Sequence, residues 1–370
     1  MFEFAWWLIS YIGPFLLVLT VIVFVHEMGH YLVARWNGIA IQTFSIGFGR
    51  EIFGYTDKMG TRWRLSLIPL GGYVRFLGDM NVASLNDPDA VEKFDEQVRP
   101  HLFSQKNVWQ RIAVVVAGPA ANVIFTFLVL YALLLGYGQY VTDPVVQEVV
   151  PNSVAEQAGV QNGDRILQVD GYSVRGFSDF QRLVATAPER NVSLLVERNG
   201  QEVELNIIPQ AVEITDRFGN TQRIGRIGVS RSIGAEDYVK FWPNPIEAVS
   251  MAAQEMVFLV DRTFAFLADF FVGRGDVEQL GGPIKVAQVS GDVATLGFLA
   301  LVNLTALLSL NIGIFNLFPI PMLDGGHLVY YLIEAVRGRP LSQRIQEIGF
   351  RFGMLLVGSL MIFTVINDIF

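Results

Sequence analysis

The sequence predicts an α-helical membrane protein of about four spans, with a soluble α+β module inserted between the second and third. Three observations predict it. Long apolar runs lie near residues 4–36, 111–138, 296–318 and 349–366, and about 20 residues of helix, rising 1.5 Å each, cross a bilayer core of about 30 Å. Charge is sparse, at 17% against 52% hydrophobic residues, where soluble domains carry about 25% charge. Between the second and third runs the chain turns polar, with period-two alternation and turn residues, which is strand patterning.

Composition also excludes. The net charge of −8 and the lack of a long basic run leave no nucleic-acid partner in view. Cysteine is absent, so disulfides and thiolate metal ligands are out, leaving His, Asp and Glu. The start, Met1-Phe2-Glu3-Phe4, has no basic region, and no A-x-A-like site closes the apolar stretch. It reads as a retained membrane helix rather than a signal peptide.

The first run, Phe4–Trp36, has Gly13-Pro14 as the place for a kink, Asn37-Gly38 as its end and Arg35 at the membrane exit. Near its end stands His26-Glu27-Met28-Gly29-His30. Histidines four apart share one helix face and can bind one metal ion. Glu27 sits where metallopeptidases keep the carboxylate that activates water. The preceding stretch, Trp6 to Phe24, is uncharged, and an ionisable group at mid-bilayer costs about 2.5–3.5 kcal/mol on the insertion scale. A polar trio in that setting points to metal binding.

Residues 37–110 are mixed. Thr61–Leu67 alternates as a strand does, Pro69-Leu70-Gly71-Gly72 makes a turn, and Tyr73–Phe76 reads as a second strand, giving a hairpin over Arg62–Phe76. Residues 81–107 are polar, with the acidic Asn86-Asp87-Pro88-Asp89, and His101 there reads as a surface residue. The second span, 111–138, contains Gly118-Pro119-Ala120-Ala121-Asn122, small residues that permit close helix packing. Asn122 is expected to face protein rather than lipid.

Residues 143–212 read as strand, short capped helix, strand, helix and hairpin, the last around Arg198-Asn199-Gly200-Gln201, where Asn-Gly is a strong turn signal. Residues 213–242 extend this module. The segment 243–272 is an amphiphilic helix whose Glu255, Asp261 and Asp269 make it too charged for a span. It is expected at the membrane surface or against the bundle, within a region 213–292. The third span, in 293–327, ends in Asn316-Leu317-Phe318-Pro319-Ile320-Pro321-Met322-Leu323-Asp324-Gly325-Gly326-His327. Such broken backbone at membrane depth is tolerated only where it lines a protein cavity. The fourth span closes 328–370. Arg35, Lys106, Arg111, Arg337, Arg339, Arg344 and Arg351 flank the loops joining spans one to two and three to four, which makes those loops cytoplasmic and the inserted module external.

Catalytic zinc takes three protein ligands and keeps one position open. His26 and His30 supply two. Asp324 and His327 are both candidates for the third, and periodicity does not choose between them.

The H-E-M-G-H motif, the A-G-V-x-x-G-D-x-I-L-x-V-D-G pattern of residues 158–171 and the N-L-F-P-I-P-M-L-D-G-G-H stretch together resemble the site-2 protease family of intramembrane zinc metalloproteases. Within it the resemblance is to the regulator of sigma-E protease (RseP-like) members, over nearly the whole chain. It implies Zn2+ held by His26, His30 and Asp324, with Glu27 catalytic. It implies that Asn316, Pro319 and Pro321 hold the substrate strand. It also implies that the hairpin is a membrane re-entrant β-loop, with Arg62, Arg64, Leu65, Ser66, Leu67 and Tyr73 as substrate contacts. The module 143–212 resembles a PDZ domain, which takes a peptide end or a regulator onto a sheet edge. Only one such module is present, where some members have two in tandem. The implied activity is endoproteolysis of pre-trimmed single-span membrane proteins of the anti-sigma-factor type, and of remnant signal peptides, in a stress response. The implied location is the bacterial inner membrane, with the PDZ-like module on the periplasmic side. The alternative is a non-catalytic membrane PDZ adaptor or sensor with a structural metal site. A retained Glu27 and a three-ligand set argue against it, because structural zinc normally has four protein ligands.

Overall fold

A computed structural model describes residues 2–78, 94–215, 221–232, 234, 237–272 and 281–369. The acidic Asn86–Asp89 stretch lies outside them, as do parts of the region read as extending the module. The chain divides into two compact units, Met1–Val129 with Val272–Phe370, and Leu130–Phe271.

The first unit opens with helix α1 (Phe2–Trp36), which carries Pro14 in its interior and ends with Arg35 in its last turn. Strands β1 (Ile41–Thr56) and β2 (Arg62–Phe76) follow, and then helix α2 (Val108–Tyr137). The strands correct the expected hairpin. Its two arms, Arg62–Leu67 and Tyr73–Phe76, flank the first half of β1 instead of pairing with each other. Phe44 stands opposite Val74 on one side and opposite Trp63 on the other. The register runs antiparallel on the Val74 side, from Ile41 opposite Phe76 to Ile46 opposite Gly72, while on the other side both numbers rise, from Thr43 opposite Arg62 to Ile46 opposite Leu65. The second half of β1 then turns back to pair Thr56 with Arg62 and Glu51 with Ser66. Alternation identifies a strand's faces but not its neighbour. Packing chooses the neighbour here. Phe44, 1% exposed, stacks on Trp63 at 4.5 Å and meets Tyr31 of α1 edge-on. The sheet is thereby pinned to α1 through the first half of β1, and the segment 72–76 is left at its edge.

In the second unit, β3 (Gln139–Val141), β4 (Glu148–Val149) and the short helix α3 (Val154–Gln157) come first. Ser153 caps α3 by accepting from the Glu156 N–H. Next come β5 (Arg165–Val169), β6 (Tyr172–Ser173), α4 (Phe177–Ala185), β7 (Val192–Arg198) and β8 (Gln201–Ile207). The order β6-β5-β7-β8 makes a four-stranded sheet. Asn199 and Gly200, both at positive φ, turn β7 into β8 as the Asn-Gly signal predicts. Strands β9 (Gln210–Thr215) and β10 (Thr221–Arg226) pair, β11 (Val229–Ser230) pairs with β4, and β12 (Val239–Phe241) pairs with β3. Buried Ile227 joins a core of Ile166, Phe177, Phe180, Leu194 and Val196, so the module closes well beyond residue 212.

Helix α5 (Pro245–Phe271) completes this unit. Phe258 enters the same core and meets Tyr172 edge-on. Arg182 of α4 reaches Glu255 with both terminal nitrogens, and Arg190 reaches Asp269. The charges that make this segment unfit for a span are thus used inside the unit.

The first unit resumes with α6 (Pro283–Thr295), α7 (Phe298–Asn316), α8 (Asp324–Arg337) and α9 (Gln343–Ile369). Among the described residues, four helical stretches are long and apolar enough to cross a membrane: Ile9–Trp36, Val108–Tyr137, Phe298–Asn316 and Gln343–Ile369. They match the four runs in the sequence. The proline-rich break falls between α7 and α8, as the broken backbone predicts.

Candidate metal centre

His26 and His30 lie one turn apart on α1, and their Nε2 atoms approach within 3.2 Å. Asp324 opens α8, and its carboxylate faces both rings, with Oδ2 3.1 Å from His26 Nε2 and Oδ1 3.6 Å from His30 Nε2. Among the described residues, these three form the one His, Cys, Asp or Glu cluster able to hold a metal, with ligand atoms all within 4.8 Å of one another. Two nitrogens on one tetrahedral zinc, each about 2.0–2.1 Å from it, stand about 3.3 Å apart, and the histidines already do. Asp324 Oδ2 is buried, and its one close polar contact, His26 Nε2 at 3.1 Å, lacks the geometry of a hydrogen bond. Such an atom is costly unless something compensates it, and a cation shared with the two imidazoles does so. The residues present therefore fit Zn2+.

Helix α2 forms the wall behind the pair. The Val114 carbonyl accepts from His30 Nδ1 at 2.8 Å, and the Asn122 side chain lies 3.2 Å from His26 Nδ1. Both Nε2 atoms are left facing the centre. Between Val114 and Asn122 stands Gly118, where an added Cβ would meet His30 Nε2 at 2.2 Å and His26 Nε2 at 2.9 Å. Val114, Gly118 and Asn122 are spaced by four and so share one face of α2. In the sequence Gly118 reads as a packing residue, and Val114 carries no functional signal. The signal was present, since the glycine and asparagine repeat the spacing of the two histidines.

A cavity of about 500 Å3 opens on the centre. Glu27 lines it with the histidines, Asp324, Asn316 and His327, and Gly72, Tyr73 and Val74 form its sheet-edge wall. The Val74 backbone N–H donates to the Glu27 carboxylate. Gly72 permits this approach, because a Cβ there would lie 2.7 Å from Val23 Cγ1 and 3.2 Å from Glu27 Cγ.

The other predicted residues are placed unevenly. Asn316 and Tyr73 line the cavity. Pro321 lines a smaller neighbouring one of about 30 Å3 beside His327, Tyr330 and Glu334, and Pro319 lines neither. Arg62 pairs with Glu51, Arg64 donates to Ser66 Oγ and the Gly49 carbonyl, and Ser66 bonds Ser45 inside the sheet. Leu65 and Leu67 are exposed. None of these five lines the cavity. His327 borders it but is not part of the cluster. His101 Nδ1 donates to the Gly38 carbonyl and the residue is exposed, as expected of a surface residue.

A three-ligand cluster with a carboxylate beside the first histidine, within a bundle of apolar helices, defines a membrane metallopeptidase. Comparison with known proteins gives the family: peptidase family M50 matches residues 14–360, and the chain belongs to it. Relatives align along nearly their whole length. A candidate zinc metalloprotease of Agrobacterium fabrum is 47% identical over 98% of this chain and 96% of its own. One of Mesorhizobium japonicum is 47% identical over 96% and 98%. Metalloprotease MmpA of Caulobacter vibrioides is 37% identical over 96% and 94%. The chain is a multi-pass zinc metalloprotease of the site-2 type.

Proposed function

We propose that this protein is an intramembrane endopeptidase in which His26, His30 and Asp324 hold Zn2+ and Glu27 is the general base. The observation that carries the reading is the convergence of these four side chains on one cavity walled by a sheet edge. When bound, zinc supplies Lewis acidity, lowering the pKa of water towards about 7 and polarising the scissile carbonyl. The Glu27 carboxylate takes the proton of the attacking water and delivers it to the leaving amine nitrogen. The Val74 N–H holds that carboxylate against the edge strand.

A helical substrate hides its peptide bonds, so it enters locally unwound. Strand addition along 72–76 then compensates its freed backbone groups, and Asn316 and Tyr73, which both line the cavity, contact it. The sheet is read as re-entrant, since Phe48, Ile52, Phe53, Leu65, Leu67 and Ile68 are exposed on it and apolar residues of this kind suit lipid. The second unit is read as a PDZ-like domain on the outer, periplasmic side of the bacterial inner membrane. Substrates are single-span proteins already trimmed outside, of the anti-sigma-factor type, and remnant signal peptides.

The test is cleavage of a trimmed single-span substrate by purified protein in detergent, with zinc content measured alongside. Glu27→Gln is expected to keep zinc and lose about 10²–10⁴ in rate, whereas Asp324→Ala loses both. Full zinc and activity in Asp324→Ala would overturn the ligand set.

A further inference from the structure

Asn122 is a fully buried amide in the middle of a membrane span, 0% exposed, with its Oδ1 lacking any hydrogen-bond partner. Its neighbours hold the main chain there rather than the side chain. Thr126 Oγ1 and Ser309 Oγ both reach the Asn122 carbonyl, at 2.9 and 3.4 Å, and Thr126 also reaches the Ala306 carbonyl of α7. The side-chain amide is left with one close polar neighbour, His26 Nδ1 at 3.2 Å.

As placed, the amide nitrogen faces Nδ1. That orientation makes Nδ1 an acceptor and puts the ring proton on Nε2, the nitrogen turned to His30 and Asp324. A protonated Nε2 has no lone pair for a metal. The two ends of an amide have the same shape, so orientation is assigned from the hydrogen-bond network. The neighbouring histidine shows what that network requires, because His30 Nδ1–H donates to the Val114 carbonyl and frees its own Nε2.

We infer that Asn122 is a positioning residue for His26: its amide oxygen accepts the Nδ1–H and fixes the tautomer whose Nε2 faces the metal centre. Helix α2 thus carries two acceptors, a backbone carbonyl at Val114 and a side-chain oxygen at Asn122, one for each histidine. Gly118 between them leaves room for both rings. The inference rests on His26 being a ligand, as proposed above. Groups of this kind tune metal affinity by about 10–100-fold.

The experiment compares zinc affinity of the full chain in detergent, by competition with a chromophoric chelator, for the parent, Asn122→Leu, Asn122→Asp and His26→Ala. Cobalt-substituted samples add a ligand-field spectrum. Leucine matches the volume without an acceptor, and aspartate keeps the acceptor. Asn122→Leu is expected to bind zinc about 10–100-fold more weakly and to shift the cobalt spectrum. Asn122→Asp is expected to stay within a few-fold of the parent with the parent's spectrum. Parent-like affinity in Asn122→Leu, with His26→Ala weakened, would overturn the positioning role alone. Equal losses in Asn122→Leu and Asn122→Asp would also overturn it, because an acceptor would then give no rescue. Parent-like affinity in His26→Ala would overturn the ligand assignment, and the role of Asn122 with it.

Discussion

Gly118 shows how one missing side chain shapes the candidate centre. It lies inside a 30-residue helix, where glycine is about 1 kcal/mol less favourable than alanine. Propensity alone therefore favours alanine at this position. The imidazoles do not, since the added Cβ would sit 2.2 Å from His30 Nε2. Gly118→Ala is expected to preserve or raise helix content while lowering zinc retention by about 10-fold or more, the scale seen when groups that orient metal-binding histidines are disturbed. Metal content after dialysis, read beside circular dichroism, checks this. Parent-level zinc in that variant would mean that the rings have space to spare. His26, Glu27 and His30 were legible in sequence because their chemistry is written in side chains at one helical period. The backbone carbonyl of Val114 carries no residue-type signal, so only the packing of α2 on α1 exposes it.

Among the elements, α8 matters because Asp324 opens it and Glu334 stands near its far end. Arg111 of α2 takes Glu334 through both terminal nitrogens and lies 4.8 Å over the Tyr331 ring. The side chains are only 8% and 15% exposed. Removing one partner of such a pair typically costs about 3–5 kcal/mol, because the remaining charge stays buried. Glu334→Gln should therefore lower the midpoint of SDS-induced unfolding and, by loosening α8, weaken zinc retention. Arg111→Met with Glu334→Leu should recover most of the stability, since a well-packed apolar pair is often no worse. A double variant as unstable as the single one would argue against the pair as the cause. Elements were more legible than their neighbours. Four apolar runs, the Asn-Gly turn and the proline-rich break all emerge where local pattern places them. The sheet does not, because the partner of Arg62–Leu67 is decided by Phe44, about 20 residues away, stacking on Trp63. Likewise Phe258 and Glu255 read locally as features of an amphiphilic helix, and only the folded unit gives them Tyr172 and Arg182 as partners.

For the whole molecule, the orientation proposal can be decided on this chain with little background. Charge distribution supports it: Arg35, Lys106, Arg111, Arg337, Arg339, Arg344 and Arg351 gather beside two of the three connections between spans. Lys and Arg within about 15–20 residues of a span's end favour the cytoplasmic side. The third connection carries the second unit, which has a core of its own around Ile166, Phe177, Phe180 and Leu194. Because the sequence contains no cysteine, a single introduced thiol reports its own side of the membrane. Glu202, exposed on β8, and Ser342, exposed between α8 and α9, are suitable positions. In right-side-out vesicles a membrane-impermeant maleimide should label Glu202→Cys at once and Ser342→Cys only after permeabilisation. Cleavage of the substrate by both variants would show that the labelled molecules are folded. The reverse labelling pattern would place the second unit in the cytoplasm. It would also remove the basis for reading that unit as a receiver of externally trimmed substrates, while leaving the candidate metal centre of α1 and α8 as described.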